Sequence, residues 1–256
     1  MPVKIGTCGW SASRSKYYER FRVVEIQRTF YKLPRSSTAE KWRREAPVDF
    51  EFSVKAWQVL THSPRSPTWR KSGLEAGRGE ADRYGLLRPT EENFRAWERV
   101  AEVCEILRAR VCVFQTPPSF GYSEENASRV EAFFSSIDRR GLVLAWEPRG
   151  TWREHLDAVE RLCESLDLVH VVDVLRLEPA RVGDIAYFRL HGLGGREVNY
   201  RYKYTDEDLA RLAELVSRYG AACSEVYVMF NNVYMFDDAS RLKELLRERY
   251  PSLELA

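Results

Sequence analysis

The sequence predicts a single-domain (β/α)8 (TIM) barrel, and three observations lead to this fold class. The chain has 256 residues, which is enough for one such domain with a full core. Eight apolar segments alternate like strands, and most are separated by helix-like or loop segments. Each of the eight also ends on a polar or functional residue. In this fold the C-terminal ends of the strands meet at one face, so these residues are expected to share one site.

The eight predicted strands span residues 3–10, 23–30, 50–57, 110–116, 142–149, 168–174, 185–192 and 225–232. Their terminal polar residues are Cys8, Glu25, Lys55, Gln115, Glu147, Asp173, Arg189 with His191, and Asn231. In the seventh segment, Tyr187, Arg189 and His191 share one face, while Phe188 and Leu190 share the other. The same parity recurs in most of the other segments, which favours an inward-facing polar row at the barrel mouth.

The segments between the predicted strands contain sequence signals for helix starts and for loops. Thr205 and the acidic residues after it resemble a capping box, and Ser37 with Glu40 predicts the same before Trp42. The connection from 173 to 185 is short, so the sixth helix is expected to be reduced. Residues 58–89 form a long loop after strand 3, rich in Gly, Pro, Ser and Arg. Such a loop is either a lid or binding element, or a solvated surface excursion.

Composition limits the classes of function. No apolar run is long enough to span a bilayer, and the N-terminus lacks the apolar region of a signal peptide. The five cysteines form no CxxC pair, so we expect buried thiols and a cytoplasmic location. The net charge of +2 does not indicate nucleic acid as a partner, and no membrane partner is expected.

Six motifs occur in order along almost the whole chain: residues 5–10, 24–31, 52–62, 114–120, 187–192 and 230–232. They include Ile-Gly-Thr-Cys-Gly-Trp, Phe-Ser-Val-Lys-Ala with Thr61-His62, and Tyr-Phe-Arg-Leu-His-Gly. Together they resemble the YecE-like family, which is known as domain of unknown function 72. The resemblance implies a TIM barrel, in agreement with the strand pattern. It implies no reaction, because the activity of that family is not established.

The chain also departs from the family pattern. Cys8 stands where the family usually has serine, and Gln27 with Arg28 replaces asparagine and serine. After Glu147 the family tends to have Phe-Arg-His-Pro, where this chain has residues 148–151, Pro-Arg-Gly-Thr. The family histidine is therefore missing, and a mechanism that needs its imidazole could not operate here.

Three carboxylates are candidates for catalysis: Glu147 and Asp173 on adjacent strands, and Glu25 further round the ring. Paired carboxylates can act as general acid and base, or they can hold a divalent cation such as Mg²⁺ or Mn²⁺. The alternative is that each carboxylate forms a structural ion pair with an inward-facing cation. No other cofactor is evident, since the sequence has no HxH or HExxH spacing, no GxGxxG and no Walker loop.

The candidate cations are Lys55, Arg149 and Arg189. Converging cations indicate an anionic ligand, and arginine matches the geometry of phosphate or carboxylate. Gln115 and Asn231 could add neutral hydrogen bonds. His191, with His62 as a further candidate, could exchange protons near neutral pH. The alternative is that His191 is a hydrogen-bonded histidine with no catalytic role. Cys8 is either a nucleophile or, more commonly, an inert buried thiol.

Aromatic residues are candidates for ligand contact. Trp10 follows the first strand, and Tyr202 lies in the alternating run Tyr-Arg-Tyr-Lys-Tyr of residues 200–204. Aromatic faces with interleaved cations suit sugars, bases or single-stranded nucleic acid. The alternative is that these tyrosines cover the barrel rim by packing.

These observations favour an enzyme that acts on an anionic, phosphate-bearing small molecule or nucleotide by acid/base or Mg²⁺/Mn²⁺-assisted hydrolysis or lysis. In this hypothesis Glu147, Asp173, Glu25 and His191 are catalytic. Substrate would be bound by Lys55, Arg149, Arg189, Gln115, Asn231, Trp10 and Tyr202. The alternatives are a nucleic-acid processing or binding protein, and a barrel that binds a ligand without turnover.

Overall fold

The computed structural model describes residues 2–74, 80–195 and 197–256. Parallel strands alternate with helices along the chain, which confirms the (β/α)8 TIM barrel as the fold class. The strands are β1 (Pro2–Cys8), β2 (Val23–Ile26), β3 (Glu51–Lys55), β4 (Val111–Gln115), β5 (Val143–Glu147), β6 (Val169–His170), β7 (Ile185–Leu190) and β8 (Glu225–Phe230). A short strand that the sequence did not predict, β9 (Glu254–Leu255), pairs with β1.

The helices follow the strands in the expected places. They are α1 (Arg14–Arg20), α2 (Arg28–Tyr31), α3 (Ser36–Glu45), α4 (Gln58–Thr61), α5 (Glu91–Leu107), α6 (Glu124–Ser136), α7 (Leu156–Ser165), α8 (Asp206–Ala222) and α9 (Met235–Arg249). Three 3₁₀ segments cover Trp69–Ser72, Ala81–Arg83 and Gly150–Glu154. Residues 171–184, between β6 and β7, contain no helix, so the predicted reduction of the sixth helix is confirmed.

The chain forms two compact units, each with its own set of paired strands. Unit 1 comprises Met1–Ile26, Pro47–Glu51 and Val169–Ala256. In it, β1 pairs in parallel with β2 and with β8, and β8 pairs with β7. The approach of β1 to β2 requires Gly6, because a Cβ at this position would lie 2.4 Å from the Val23 carbonyl oxygen. The other face of β7 packs on α8, where Phe188 contacts Tyr219.

Unit 2 comprises Gln27–Ala46 and Phe52–Leu168. Here β4 lies between β3 and β5, and both pairings are parallel. The side of β4 that faces the helices carries Phe114, which contacts Trp97 of α5 and Phe134 of α6. Burying each such aromatic side chain contributes about 1.5–3 kcal/mol, so this layer fixes β4 against its helices.

The helix starts were predicted with mixed success. Thr205 and Asp208 form the expected capping box of α8, and Ser123 caps α6 by accepting a hydrogen bond from the Asn126 N–H. The capping box at Ser37 was wrong. Helix α3 already begins at Ser36, and its N-cap is Arg35, which makes no side-chain cap bond. Ser37 therefore lies inside the first turn, too late to act as the cap.

Two further predictions concern the whole chain. All five cysteines are free and buried, as expected. No helix among the described residues is long and apolar enough to cross a membrane. Of the long loop at 58–89, residues 75–79 lie outside the described residues.

Candidate functional site

In unit 2, three predicted site residues occupy equivalent places. Lys55, Gln115 and Glu147 are the last residues of β3, β4 and β5, and all three are buried. Gln115 and Glu147 are direct partners in the register of β4 and β5. Because side chains alternate along a strand, this register directs their side chains to the same face of the sheet. The sequence pattern therefore placed these three groups together correctly.

Lys55 is held from several directions. Its backbone carbonyl accepts a hydrogen bond of 2.6 Å from the Thr29 hydroxyl, which ties α2 to the end of β3. Its ammonium group donates to Gln115 Oε1 at 2.7 Å. The same nitrogen lies 4.1 Å from the ring centroid of Phe30, within the range of a cation–π interaction. Lys55 is thus fixed as a buried cation with a neutral amide among its acceptors.

Arg149 adds a second cation beside Glu147. Its Nε and Nη2 atoms lie 2.8 and 2.7 Å from Glu147 Oε1, so the guanidinium orients the carboxylate. The chain turns sharply after Arg149 at Gly150, where φ is 71°. A Cβ at Gly150 would lie 2.6 Å from the Pro118 carbonyl oxygen, so only glycine fits this turn.

His62 joins this group, although the sequence pointed to it only weakly. It follows α4, and its Nδ1 lies 2.9 Å from the Thr61 hydroxyl. Its ring contacts that of Phe30 with centroids 4.9 Å apart. Burial, together with the positive charges of Lys55 and Arg149, lowers the pKa of His62 to about 3. His62 is therefore a neutral imidazole at physiological pH.

These six residues form what we call the unit 2 cluster: Phe30, Lys55, His62, Gln115, Glu147 and Arg149. It contains two cations, one carboxylate and two neutral polar groups. The side chains sit at the ends of adjacent strands or on the segments that follow them, where this fold keeps its chemistry. One aromatic ring, Phe30, touches both Lys55 and His62. The cluster can hold an anion and can move protons through Glu147.

The described part of the long loop packs against other segments of unit 2. Leu87 N–H donates to the Leu60 carbonyl at 2.9 Å, and Gly85 approaches the His62 backbone so closely that a Cβ there would clash. Lys71 lies over the ring of Tyr31, 5.3 Å from its centroid. The loop thus folds back beside the segments that carry Phe30 and His62.

Unit 1 contains a second Glu–Arg pair, and this pair is fully buried. Arg189 Nη2 lies 2.9 Å from Glu25 Oε1, and neither side chain has any exposed area. The Tyr187 hydroxyl donates to the other oxygen of Glu25 at 2.9 Å. A fully buried ion pair whose carboxylate also accepts a hydrogen bond from a buried tyrosine is the arrangement expected of a structural ion pair. That alternative, left open by the sequence, is the one this geometry favours for Glu25 and Arg189.

Asp173, His191 and Asn231 also lie together in unit 1. Asp173 accepts a hydrogen bond of 2.9 Å from the backbone N–H of His191, and Arg176 Nε lies 3.7 Å from the same carboxylate oxygen. The side chain of His191 contacts that of Asn231, with Nδ1 and Nδ2 3.1 Å apart. Asp173 therefore orients the backbone around His191, and Asn231 orients its ring.

The aromatic candidates of unit 1 make mostly internal contacts. The Tyr202 hydroxyl donates to Asp208 at 2.6 Å, and this bond with burial raises the pKa of Tyr202 to about 12. Tyr204 is buried, so only Tyr200 of the three tyrosines is exposed, at 45% of its surface. Trp10 packs against Tyr17 and other aromatic rings. The tyrosine run thus resembles rim packing more than a stacking platform.

The remaining candidates concern metals and the thiol. Within residues 2–74, 80–195 and 197–256, no group of three or more His, Cys, Asp or Glu side chains is placed to hold a metal ion. Glu147 belongs to unit 2, whereas Glu25 and Asp173 belong to unit 1. Cys8 is buried, with its sulfur 3.9 Å from the Met229 carbonyl oxygen. A buried thiol of this kind is usually inert.

Comparison with known proteins assigns the chain to a family. The family model described as "Protein of unknown function DUF72" matches residues 4–255. The chain belongs to the DUF72 family. The UPF0759 protein YunF of Bacillus subtilis (strain 168) is 24% identical over 283 residues, covering 95% of this chain and 93% of that protein. The resemblance seen in the sequence motifs is thereby confirmed.

Solved structures of DUF72 family proteins share this fold. One from Thermotoga maritima matches with a TM-score of 0.72 and 25% identity, over 96% of this chain and all of the other. One from Enterococcus faecalis matches with a TM-score of 0.72 and 20% identity, over 96% and 98% of the two chains. The family is one of unknown function, so function must be argued from the site.

Proposed function

We propose that this protein is an enzyme that acts on an anionic, phosphate-bearing small molecule held by the unit 2 cluster. The observation that carries the proposal is that two cations, Lys55 and Arg149, lie with a single carboxylate, Glu147, at the ends of neighbouring strands. In agreement with this, burial and the charges of the two cations lower the pKa of His62 to about 3. Two cations and one carboxylate leave one positive charge among these side chains. A buried site with excess positive charge favours an anion, because charges interact more strongly there than in water.

Each polar member of the cluster has a role in this proposal. Lys55 and Arg149 supply the positive potential that binds the phosphate group. Gln115 holds the ammonium group of Lys55 through its 2.7 Å hydrogen bond. Glu147, oriented by Arg149, exchanges the proton in the reaction. The chemistry is general acid/base catalysis, which needs a carboxylate fixed within reach of the substrate.

Metal-assisted chemistry is the second candidate, and charge argues against it. Each of the three carboxylates suggested by the sequence has an arginine beside it: Glu25 has Arg189, Glu147 has Arg149 and Asp173 has Arg176. A guanidinium beside a carboxylate repels a divalent cation and competes for the same oxygen atoms. These residues therefore fit a Mg²⁺ or Mn²⁺ site poorly, and we place no catalytic step on a metal.

The proposal can be tested by titrating the protein with inorganic phosphate in a calorimeter. We expect Lys55→Met to weaken phosphate binding at least tenfold, because it removes a buried charge from the site. Lys41→Met is the matched control, since it removes the charge of an exposed lysine on helix α3 of the same unit. The control should bind phosphate like the unaltered protein.

Two outcomes would overturn the proposal. One is phosphate binding too weak to measure in the unaltered protein at low salt. The other is an equal loss of affinity in Lys55→Met and Lys41→Met, which would mean that phosphate responds only to net charge. Circular dichroism of each variant establishes that the fold is intact before affinities are compared.

A further inference from the structure

We propose that the unit 2 cluster removes a proton from the carbon next to a carbonyl group, and that its substrates are phosphorylated aldoses or ketoses. This inference rests on the proposed phosphate site and specifies the substrate class and the reaction. It follows from the combination of one oriented carboxylate, one neutral imidazole and one buried ammonium group. None of the six side chains in the cluster is an alcohol or thiol that could attack a phosphate ester.

The reaction needs a base, and Glu147 is placed to act as one. It ends β5, is buried, and is held at one oxygen by two nitrogens of Arg149. In the step itself the C–H bond beside the carbonyl breaks and its proton moves to the carboxylate of Glu147. The electron pair of that bond forms a carbon–carbon double bond, and the carbonyl oxygen becomes an enolate oxygen. Returning the proton to the same carbon restores both the carbonyl group and Glu147. Returning it to the former carbonyl carbon also restores Glu147, and in that case the proton of the neighbouring hydroxyl moves to the enolate oxygen, so that the carbonyl group shifts by one carbon. No oxidant, reductant or cofactor is consumed in either case.

The enolate needs stabilisation, and His62 provides a donor suited to it. The Thr61 hydroxyl lies 2.9 Å from His62 Nδ1. In the tautomer in which Nδ1 accepts from this hydroxyl, the ring proton is on Nε2 and can be directed at the substrate oxygen. A neutral imidazole can donate its ring N–H to an enolate oxygen, and the ring does not have to carry a positive charge to do so. Burial and the two neighbouring cations maintain that neutral form, since they oppose a second proton on the ring.

Lys55 completes the arrangement. Its ammonium group and the His62 ring both contact Phe30, which places the positive charge and the neutral donor around one apolar ring. The enolate is a second anion, and in this proposal it forms beside the cations that already attract phosphate. The same potential therefore stabilises the bound substrate and, more strongly, the transition state that develops the new charge.

The test is exchange of carbon-bound hydrogen in D₂O, followed by proton NMR with dihydroxyacetone phosphate and ribulose 5-phosphate as probes. We expect loss of the signals from hydrogens next to the carbonyl in at least one probe, at a rate proportional to protein concentration. Glu147→Gln should lower the rate at least 100-fold, because the amide cannot accept the proton. A preparation of this variant purified in the same way also measures exchange by any contaminating isomerase.

The role of His62 needs its own variants. His62→Ala should lower the exchange rate about tenfold or more, and His62→Gln should recover part of it because the amide is also a neutral donor. His155→Gln is the control, since it removes a half-buried histidine of the same unit outside the cluster. It should exchange at the unaltered rate.

The inference and the proposed function can fail separately. If phosphate binds and Lys55→Met weakens it, but neither probe exchanges faster than with Glu147→Gln, the inference is overturned and the binding site stands. If exchange occurs and borohydride traps the probe covalently on Lys55, the carbonyl chemistry runs through an imine, and direct formation of an enolate by Glu147 and His62 is wrong. Exchange without any measurable phosphate site would instead contradict the proposed function.

Discussion

The two Glu–Arg pairs at the strand ends share a chemistry but differ in their surroundings. In unit 1, Glu25 and Arg189 are 2.9 Å apart and neither side chain is exposed at all. In unit 2, Glu147 and Arg149 are 2.7 Å apart, with 7% and 14% of their side chains exposed. A Glu–Arg pair at the strand ends therefore does not by itself identify a ligand-binding site. What matters is whether the pair retains access to solvent and which groups lie beside it.

The neighbours of each pair agree with this distinction. Glu25 receives the hydroxyl of Tyr187, whose ring stacks on Tyr227 with centroids 5.1 Å apart. The Tyr227 hydroxyl in turn contacts the carboxylates of Glu51 and Glu225, so the stacked rings connect the unit 1 pair to a partly buried polar cluster. Beside Glu147 and Arg149, by contrast, the structure places a buried lysine and a neutral histidine. The surroundings of the first pair are those of a structural ion pair, whereas the second pair belongs to the cluster for which we propose ligand binding.

The largest effect expected from this comparison is on stability. Arg189→Met leaves the carboxylate of Glu25 buried beside an apolar group, which should lower the free energy of unfolding by about 3–5 kcal/mol. Arg149→Met should cost less than Arg189→Met, because 7% of the Glu147 side chain is exposed and the carboxylate keeps some contact with water. Urea denaturation followed by tryptophan fluorescence measures both values.

A double variant controls this experiment. Glu25→Gln combined with Arg189→Met removes both charges, so it should recover part of the stability lost by Arg189→Met alone. Equal destabilisation by Arg189→Met and Arg149→Met would abolish the distinction between the two pairs.

The second prediction concerns the pH dependence caused by His62. Its pKa is about 3 in the folded protein and near 6.5 when unfolded, so below pH 6.5 the unfolded chain binds a proton that the folded chain does not. Stability from the neutral ring is therefore present above pH 6.5 and is lost as pH falls toward 3. The loss is up to about 1.4 kcal/mol for each pH unit.

His62→Gln removes this proton and should flatten the dependence. We expect the free energy of unfolding to fall less between pH 7 and pH 5 in the variant than in the unaltered protein. The ring-carbon NMR signals of His62 should also stay constant from pH 8 to pH 5. A titration of these signals near pH 6.5 would contradict the neutral histidine on which the unit 2 cluster depends.

The sequence predicted which residues end the strands, because period-two alternation fixes the face on which a side chain lies. Lys55, Gln115 and Glu147 were placed together for this reason, and β3, β4 and β5 end on them. Strand lengths were overestimated where an apolar run continued into a helix. Predicted strand 23–30 stops at Ile26, and α2 begins at Arg28. Apolar character alone does not separate a strand from the short helix that follows it.

The sequence could not show which polar residues were sealed from solvent. Arg189 and Arg149 both occupy inward positions of their predicted strands, yet of the two only Arg189 is fully buried. Burial depends on what the loops and neighbouring strands cover, and alternation carries no information about that. The sequence pointed to His62 only weakly, because its surroundings are formed by Phe30, Lys55 and Arg149. Of these three residues, Phe30 and Arg149 are remote from it in sequence. Burial lowers the pKa of His62, and the charges of Lys55 and Arg149 lower it further.

The smallest effect expected concerns Tyr202, which the sequence suggested as a ligand contact. In the structure the Tyr202 hydroxyl donates a hydrogen bond to the carboxylate of Asp208. The same carboxylate accepts from the Thr205 N–H in the capping box of α8. Tyr202→Phe should lower the free energy of unfolding by about 1 kcal/mol, since it removes one hydrogen bond to a helix terminus. Phosphate affinity should be unchanged.

Thr205→Ala is the matched comparison, because it removes the cap from the same helix and should also cost about 1 kcal/mol. Since Tyr202 and Thr205 share Asp208, the double variant should lose less than the sum of the two single losses. Such coupling would identify Tyr202 as part of the helix terminus. Additive losses, together with weakened phosphate binding in Tyr202→Phe alone, would instead indicate that this tyrosine contacts the ligand. The contrast between structural contacts at the rim of unit 1 and a binding cluster in unit 2 would then no longer hold.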